Sequence, residues 1–215
     1  IMQAVEDSLT RLQTDYIDLY QVHWPDEETP LAETLSTLDD LVRSGKVRYI
    51  GCSNYPAWLL MKSLWVSDVN ELARFDSIQP HYNYVHRAEF ERETEAVCAD
   101  QGIGVIPYSP LAGGFLTGKY RRDTDVPDSV RADRIKSEYM NEQGFAAIDK
   151  LAEVGIAHSA TVAQTAIAWI LANPTVSSAI IGANNADQLS DTMKGADIEL
   201  SVEEKAALDE RTAWE

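Results

Sequence analysis

Polar side chains that could do chemistry stand where apolar segments of this chain end. His23 closes one such segment, Ser53 and Asn54 follow a second, and Gln79 closes a third. A neutral imidazole can donate a hydrogen bond to a carbonyl oxygen, whereas hydroxyl and carboxamide groups together can hold another amide. These residues therefore indicate a site for a carbonyl compound and an amide-bearing ligand. A packed structural histidine and ordinary turn capping by Ser and Asn would produce the same pattern.

Two later segment ends suit a flat ring and an anion. Tyr108 closes an apolar segment and is followed by the small residues 112–114, where the backbone could approach a phosphate. Gly182 follows the last apolar segment just before a helix is expected to begin, and the N–H groups of a helix start suit an anion. A buried tyrosine beside a flexible loop, and an isolated glycine, would look similar.

The remaining histidines and both cysteines lack the spacing of metal ligands. His81 and His86 lie in a polar loop, and His158 lies in a connection between helices. Cys52 and Cys98 lie in apolar stretches without a C-x-x-C pair. We therefore expect surface or structural roles for these histidines, no metal site, no disulfide framework and a reducing compartment.

Strands and helices must alternate to place the candidate residues. Apolar segments predict five strands, at residues 16–23, 47–52, 77–79, 103–108 and 178–181. Amphipathic helices are expected around them, the first with Ile1, Val5, Leu9 and Leu12 on one face. This alternation indicates βα units in a parallel sheet, in which ligands bind at the carboxyl ends of the strands. Periodicity alone fits a barrel and an open sheet equally well.

Three further features bear on the elements. A helix over about 89–101 is expected to end at Gly102, and Ser201 with Glu204 predicts a capping box for the last helix. From 112 to 139 the chain is rich in Gly, Arg and Asp without periodicity. A loop of that length is typical of a lid or binding loop, so we expect it to cover part of the site.

Composition limits the kinds of protein and partner. The 215 residues are 45% hydrophobic and 25% charged, as expected of a single domain over 1–215. A formal net charge of -17 argues against nucleic acid, which binds clustered Lys and Arg. The chain has no apolar run of about 18 residues, and its first residues lack the order of a signal peptide. We expect a soluble, cytoplasmic protein with no nucleic-acid or membrane partner.

Five segments, taken in order, resemble the aldo-keto reductase family. They read YIDLYQVHWP at 16–25, GKVRYIGCSN at 45–54, QPHYN at 79–83, YSPL at 108–111 and LTGKY at 116–120. The resemblance covers essentially the whole chain and implies an α/β fold, the (β/α)8 TIM barrel of that family. A complete barrel needs about 250 residues and eight strands, whereas about five strands are expected here. We therefore expect the C-terminal portion of an NAD(P)-linked oxidoreductase barrel, a partial barrel lacking roughly the first three β/α units. A genuine short protein is the alternative.

The resemblance implies a role for each candidate residue. His23 matches the family's active-site histidine, and Tyr108 matches the ring that stacks on nicotinamide. Ser53, Asn54 and Gln79 match the residues that hold its carboxamide. The loop around the pyrophosphate is matched by Ser109, Pro110, Leu111, Gly113 and Lys119, and the adenosine end by Gly182, Asn184, Gln188, Asp191 and Thr192.

Two departures from the family pattern concern the cofactor. Family members often carry a basic residue where Asn184 stands, to pair with a 2′-phosphate, and an asparagine where Thr192 stands. A neutral Asn184 cannot neutralise a phosphate dianion, and charge-assisted hydrogen bonds are about twice as strong as neutral ones. We expect NADPH as the cofactor, with NADH as the alternative.

The activity implied by the resemblance is the NAD(P)H-dependent reduction of aldehydes or ketones to alcohols. The family's proton-donating tyrosine, with the Asp and Lys that tune it, belongs to barrel units that we expect this chain to lack. A tyrosine of reference pKa about 10 needs a nearby ammonium to donate its proton near neutrality. We therefore expect the chain by itself not to catalyse efficiently. The alternative is a non-catalytic NADP(H)-binding sensor or channel-associated subunit of the same family.

The expected partners follow from the same interpretation. A small-molecule carbonyl compound is the expected substrate, and Trp24, Tyr55 and Trp58 suggest an apolar, aromatic-lined pocket for it. A partial barrel would expose an apolar strand edge, and such edges favour association. We expect self-association through the open barrel edge.

Overall fold

The computed structural model of the chain describes residues 1–122 and 132–214. These residues form two compact units, one of Ile1–Pro80 with Glu93–Val105 and the other of His81–Arg92 with Ile106–Glu215. Each unit has its own helices and its own buried side chains. The expectation of a single domain over 1–215 remains a prediction.

The elements are numbered along the chain and belong to one unit or the other. The first unit holds α1 (Met2–Leu12), β1 (Ile17–Val22), α2 (Leu31–Arg43), β2 (Val47–Ser53), α3 (Ala57–Val69), β3 (Phe75–Gln79), α5 (Thr94–Gln101) and β4 (Gly104–Val105). The second unit holds α4 (Ala88–Glu91), α6 (Ala132–Glu138), α7 (Glu142–Ala157), α8 (Val162–Leu171), α9 (Ala186–Met193) and α10 (Val202–Arg211). The second unit also has 3-10 turns at Ala112–Thr117 and Lys194–Asp197.

The strands of the first unit form a parallel sheet in the order β1-β2-β3-β4. Gln21, Gly51, Ser77 and Gly104 are partners across this sheet. A Cβ atom on Gly51 would lie 2.5 Å from Ser77 Oγ, so only glycine leaves room for that hydroxyl. Because the strands are parallel, the residues that follow β1, β2 and β3 lie at one edge of the sheet.

Apolar stripes pack the helices of the first unit. Helix α1 buries Val5 and Leu9, and α2 buries Leu35, Leu38 and Leu41. Spacings of three and four residues place each set on one helical face. The opening helix predicted from periodicity is therefore confirmed.

The second unit is built around helix α8, which is buried over residues 163–170. The rings of Tyr82 and Tyr84 lie 5.4 and 5.1 Å from that of Trp169 on this helix. Helix α10 begins with the predicted capping box of Ser201 and Glu204. In the described parts of the chain no single helix could span a bilayer by length and apolar character. Only α7 and α8 taken together, with a bend of 89° between them, meet that criterion.

Two predicted elements are wrong. The segment 178–181 is not a strand, because only Ile180 forms an isolated bridge, to Tyr108. The N–H of Ile180 donates to the oxygen of Pro107 at 2.9 Å, and a proline has no N–H with which to extend such a ladder. The helix expected over 89–101 is instead α4 and α5, since Glu93, with φ of -141°, leaves the helical conformation.

The strands predicted at 16–23, 47–52 and 77–79 are confirmed as β1, β2 and β3, and two further predictions are confirmed in part. The strand expected over 103–108 shortens to Gly104–Val105, whereas Gly102 does end α5 in the left-handed conformation. The segment 112–139 is not a loop throughout, because it contains the 3-10 turn Ala112–Thr117 and helix α6. Residues 123–131 of the predicted lid lie outside the described residues.

Candidate functional site

The first unit brings four predicted site residues into one hydrogen-bonded group. Asn54 Nδ2 donates to the main-chain oxygen of His23 at 2.9 Å and to Ser53 Oγ at 3.1 Å. Ser53 Oγ in turn donates to the main-chain oxygen of Gln79 at 2.7 Å. The three strand ends are therefore tied together, with Ser53 as the buried link.

The conformation of Asn54 makes this group possible. Its φ of 59° is left-handed, a region that asparagine adopts more readily than most residues. The turn directs the carboxamide of Asn54 back towards β1, where it meets the oxygen of His23. A carboxamide that is held at two points is fixed in orientation, which is what recognition of another amide requires.

His23 lies on the wall of a cavity of about 1290 Å³ in the first unit. Aromatic rings of Tyr20, Trp24, Tyr55 and Trp58 also line this cavity. Its carboxylates are Asp26, Glu27, Glu28 and Glu33, and Lys62 is its cation. The wall therefore combines apolar area with a negative rim, and the predicted aromatic residues do line it.

The pKa values of Tyr55 and Asp26 argue against either group as a proton donor at this cavity. Burial, together with Cys52 and Asp26, raises the pKa of Tyr55 to about 12. Hydrogen bonds from Thr29 and from the N–H of Glu28 lower the pKa of Asp26. Tyr55 therefore holds its proton more tightly than an ordinary tyrosine near neutrality, and Asp26 remains a carboxylate.

The second unit gathers eleven of the fourteen predicted cofactor residues around one cavity of about 860 Å³. They are Tyr108, Ser109, Pro110, Leu111, Gly113, Lys119, Gly182, Asn184, Gln188, Asp191 and Thr192. Sequence positions up to 84 apart thus share one wall, since Tyr108 and Thr192 are both members. An isolated parallel bridge joins Tyr108 to Ile180, in the segment that leads to Gly182.

The backbone after Tyr108 passes through a left-handed turn. Ser109, Ala112, Gly113 and Gly114 have positive φ values of 58°, 50°, 68° and 109°. The N–H groups of Ala112 and Gly114 donate to the main-chain oxygens of Ser109 and Leu111 at 2.9 Å each, which closes this turn. A Cβ on Gly114 would lie 3.5 Å from Lys119 Nζ, so the ammonium group lies directly against this turn.

The segment after Gly182 is capped internally. Asn185 Oδ1 accepts from the N–H of Gln188 at 2.9 Å, and Gln188 Oε1 accepts from the N–H of Asn184 at 3.0 Å. Asp191 Oδ1 accepts from Gln164 Nε2 at 3.0 Å and from Lys194 Nζ at 3.3 Å. Two predicted residues, Gln188 and Asp191, therefore shape this wall through protein contacts.

Sequence reasoning missed residues that line the second cavity and a buried residue that holds one of its loops in place. Arg134 and Tyr139 line it, although both fall in the segment interpreted as a loop. Asn83 is completely buried and donates through Nδ2 to the oxygen of Ser109 at 3.1 Å. An amide inside the QPHYN motif, next to apolar neighbours, was the available signal for Asn83. Among the described residues no group of three His, Cys, Asp or Glu could hold a metal ion.

Comparison with known proteins shows which family the chain belongs to. The sequence profile of the Aldo/keto reductase family matches residues 1–212. The uncharacterized oxidoreductase YrpG of Bacillus subtilis is 38% identical over 204 residues, covering 94% of this chain and 60% of that protein. The versiconal hemiacetal acetate reductase of Aspergillus parasiticus is 36% identical over 216 residues, covering 98% and 61%. The solved glycerol dehydrogenase AKR11B4 from Gluconobacter oxydans has a TM-score of 0.86 at 33% identity, covering 99% and 63%.

These matches confirm the expected α/β fold of the aldo-keto reductase barrel type. The chain spans about three fifths of the length of the relatives named above. The family profile covers almost the whole chain and does not bear out the claim that the first units are missing.

Proposed function

Because the chain belongs to the Aldo/keto reductase family, we propose that it supplies the cofactor cavity and the substrate histidine of an NAD(P)H-dependent reductase of aldehydes or ketones. One observation carries this proposal. The cavity of the second unit is lined by all the residues that the family resemblance assigns to the stacking ring, the pyrophosphate and the adenosine.

The second cavity has the chemistry that a dinucleotide needs. Its volume of about 860 Å³ is typical of a ligand site. Lys119, whose ammonium group lies against the left-handed turn, offers a charge-assisted hydrogen bond to the pyrophosphate. Tyr108 offers an aromatic face to a flat ring. The cofactor therefore fits the donor set of this chain.

The first unit supplies the groups for the carbonyl compound and for the carboxamide of the cofactor. NAD(P)H, when bound, supplies a hydride to the carbonyl carbon. His23 donates a hydrogen bond to the carbonyl oxygen, which draws electron density from the carbon. Ser53 and Asn54 keep the backbone of His23 in place and, with Gln79, offer amide partners.

Delivery of the proton is where we propose that this chain is inefficient. Burial raises the pKa of the tyrosines at 55, 82, 84, 108 and 139 above the ordinary tyrosine value. A donor that works near neutrality needs the opposite shift. We therefore propose that the chain alone binds the cofactor but reduces carbonyl compounds slowly.

NADPH is the cofactor that we propose from the family resemblance. Two features of this chain predict that its discrimination against NADH is weak. Asn184 is neutral, and the nearby first turn of α9 carries the acidic Asp187. A carboxylate at this position opposes a 2′-phosphate dianion, and no charge-assisted bond from Asn184 offsets that effect. The affinities for the two cofactors should therefore lie within about tenfold of each other.

Fluorescence titration of the 215-residue chain with NADPH and NADH tests the proposal, following energy transfer from tryptophan to nicotinamide. Saturable binding of both is expected, and absence of binding would refute the cofactor assignment. Asn184→Arg should raise the affinity for NADPH relative to NADH by about tenfold. Ser190→Arg adds the same charge to α9 at a position that does not line the cavity, and should leave that ratio unchanged.

A further inference from the structure

Two histidine rings are stacked behind Tyr108. The ring of His81 lies 5.1 Å from that of Tyr108, and the two planes differ by 9°. The ring of His86 lies 4.0 Å from that of His81, at 23°. Glu89 Oε2 lies 2.9 Å from His86 Nε2 and anchors the outer ring. Tyr108 is thus at one end of a stack of three rings, and it also lines the second cavity.

Backbone bridges hold the three stacked rings together. His81 and Tyr108 form a parallel bridge, which brings their side chains side by side. Asn83 and His86 exchange two main-chain hydrogen bonds, of 3.2 and 3.0 Å, so the chain turns back and lays His86 on His81. Asn83 also holds the oxygen of Ser109 at 3.1 Å, which ties this turn to the residue after Tyr108.

The middle ring is neutral at ordinary pH. Burial, then the neighbouring His86 and Arg134, lower the pKa of His81 to about 4. Glu89 and Glu138 act in the opposite direction and do not outweigh them. A neutral imidazole stacks flat on a phenol ring without bringing a charge into the cavity wall.

We infer that His81 is a positioning residue that fixes the plane of the Tyr108 ring for stacking on nicotinamide. The inference rests on the proposed function, because it assumes that Tyr108 contacts the flat ring of the cofactor. A phenol side chain has two torsions to fix, and the bridge restrains only the backbone. The parallel face of His81 restrains the ring itself, and His86 supports His81 from behind.

The test compares two ligands in variants of the full chain. NADPH contains nicotinamide, whereas 2′-phospho-ADP-ribose lacks it and keeps the pyrophosphate and adenosine groups. His81→Ala should weaken NADPH binding by about two- to tenfold, the size of an aromatic pair contribution, and leave binding of 2′-phospho-ADP-ribose unchanged. His81→Phe keeps a flat ring and should restore the affinity for NADPH.

Matched variants separate stacking from folding. His81→Leu is apolar and bulky without a flat face, so it should behave as His81→Ala does, and it replaces that variant if the alanine chain unfolds. His158→Ala removes a histidine that binds Glu204 instead, and should bind both ligands as the unsubstituted chain does. Thermal unfolding followed by circular dichroism checks that each variant is folded.

The outcomes distinguish this inference from the function beneath it. Equal losses for both ligands would show a general structural role and overturn the inference, as would normal NADPH binding in His81→Ala and His81→Leu. Failure of the unsubstituted chain to bind either ligand would overturn the proposed function, and the inference with it. A loss confined to NADPH, reversed by phenylalanine, is the expected result.

Discussion

Ser53 Oγ donates to the main-chain oxygen of Gln79 at 2.7 Å, between residues that are partners in the register of β2 and β3. The bond lies where two strands end and where the ladder no longer satisfies every carbonyl. The same hydroxyl accepts from Asn54 Nδ2, which continues to the oxygen of His23. One buried serine therefore connects the three loops that carry the candidate site of the first unit.

Ser53→Ala should lower the free energy of unfolding by about 1–3 kcal/mol, because the part-buried carbonyl of Gln79 loses this donor and Asn54 Nδ2 loses one of its two acceptors. Urea unfolding followed by circular dichroism measures this loss. Ser63→Ala is the matched control, because Ser63 is also fully buried but, among the residues that the structure describes, its hydroxyl bonds the carbonyl of Leu59 in its own helix and no other group. Equal losses in the two variants would contradict the linking role of Ser53.

Lys119→Met should weaken NADPH binding by about tenfold or more, because hydrogen bonds to charged groups contribute about 1.5–3 kcal/mol. It should also reduce the dependence of affinity on salt, since one ammonium no longer meets the pyrophosphate. Fluorescence titration at two salt concentrations measures both effects. Lys150→Met, which removes a cation paired with Glu153 on α7, should change neither.

The elements of this fold were predictable where a single pattern determines them. The helix with Val5 and Leu9 on one face is confirmed, and so are the capping box at Ser201 and the left-handed Gly102. Each depends on contacts within a few residues. The strand expected at 178–181 failed because its pairing depends on Pro107, far away in sequence, which has no N–H.

The residues that line the candidate site were predictable, whereas the residues that hold them in position were less so. Strand ends and family motifs indicated Ser53, Tyr108 and Lys119. Ser53 does lie in the hydrogen-bonded group of the first unit, and Tyr108 and Lys119 do line the cavity of the second unit. His81 was interpreted as a loop residue and Asn83 was given no role, because nothing in their spacing shows a bridge to Tyr108 or a contact with Ser109. Such contacts form only when distant segments pack, so they leave no periodic trace.

Glu91 connects three partners of the second unit, and its loss should be costly. It accepts from Tyr82 OH at 2.7 Å, from Trp214 Nε1 at 2.7 Å and from the guanidinium of Arg87. Glu91→Gln should lower the free energy of unfolding by about 3 kcal/mol, because the largely buried Arg87 loses its nearer carboxylate and keeps that of Asp209 at 3.7 Å. Glu210→Gln, at an exposed position on α10, should change it by less than about 0.5 kcal/mol.

The same carboxylate predicts how stability depends on pH. Burial alone would raise the pKa of Glu91, but hydrogen bonds from Arg87, Trp214 and Tyr82 outweigh it and lower the pKa below 4.5. A folded-state pKa below the unfolded value gives stability that is complete above about pH 5 and is lost as the pH falls through the folded pKa. Thermal unfolding from pH 7 to pH 3 should therefore show a smaller decline in Glu91→Gln than in the unsubstituted chain.

Strand β1 predicts how the chain associates with itself. Among the described strands it pairs only with β2, so its other edge presents main-chain N–H and carbonyl groups without a strand partner. Such an edge favours pairing with a second copy, and a lysine on the edge strand opposes it. Sedimentation velocity should show an association that grows with concentration, and Leu19→Lys should shift it towards monomer. Val202→Lys adds the same charge at an exposed position on α10 and should leave the association unchanged, whereas a monomer at every concentration in the unsubstituted chain would refute the edge as an interface.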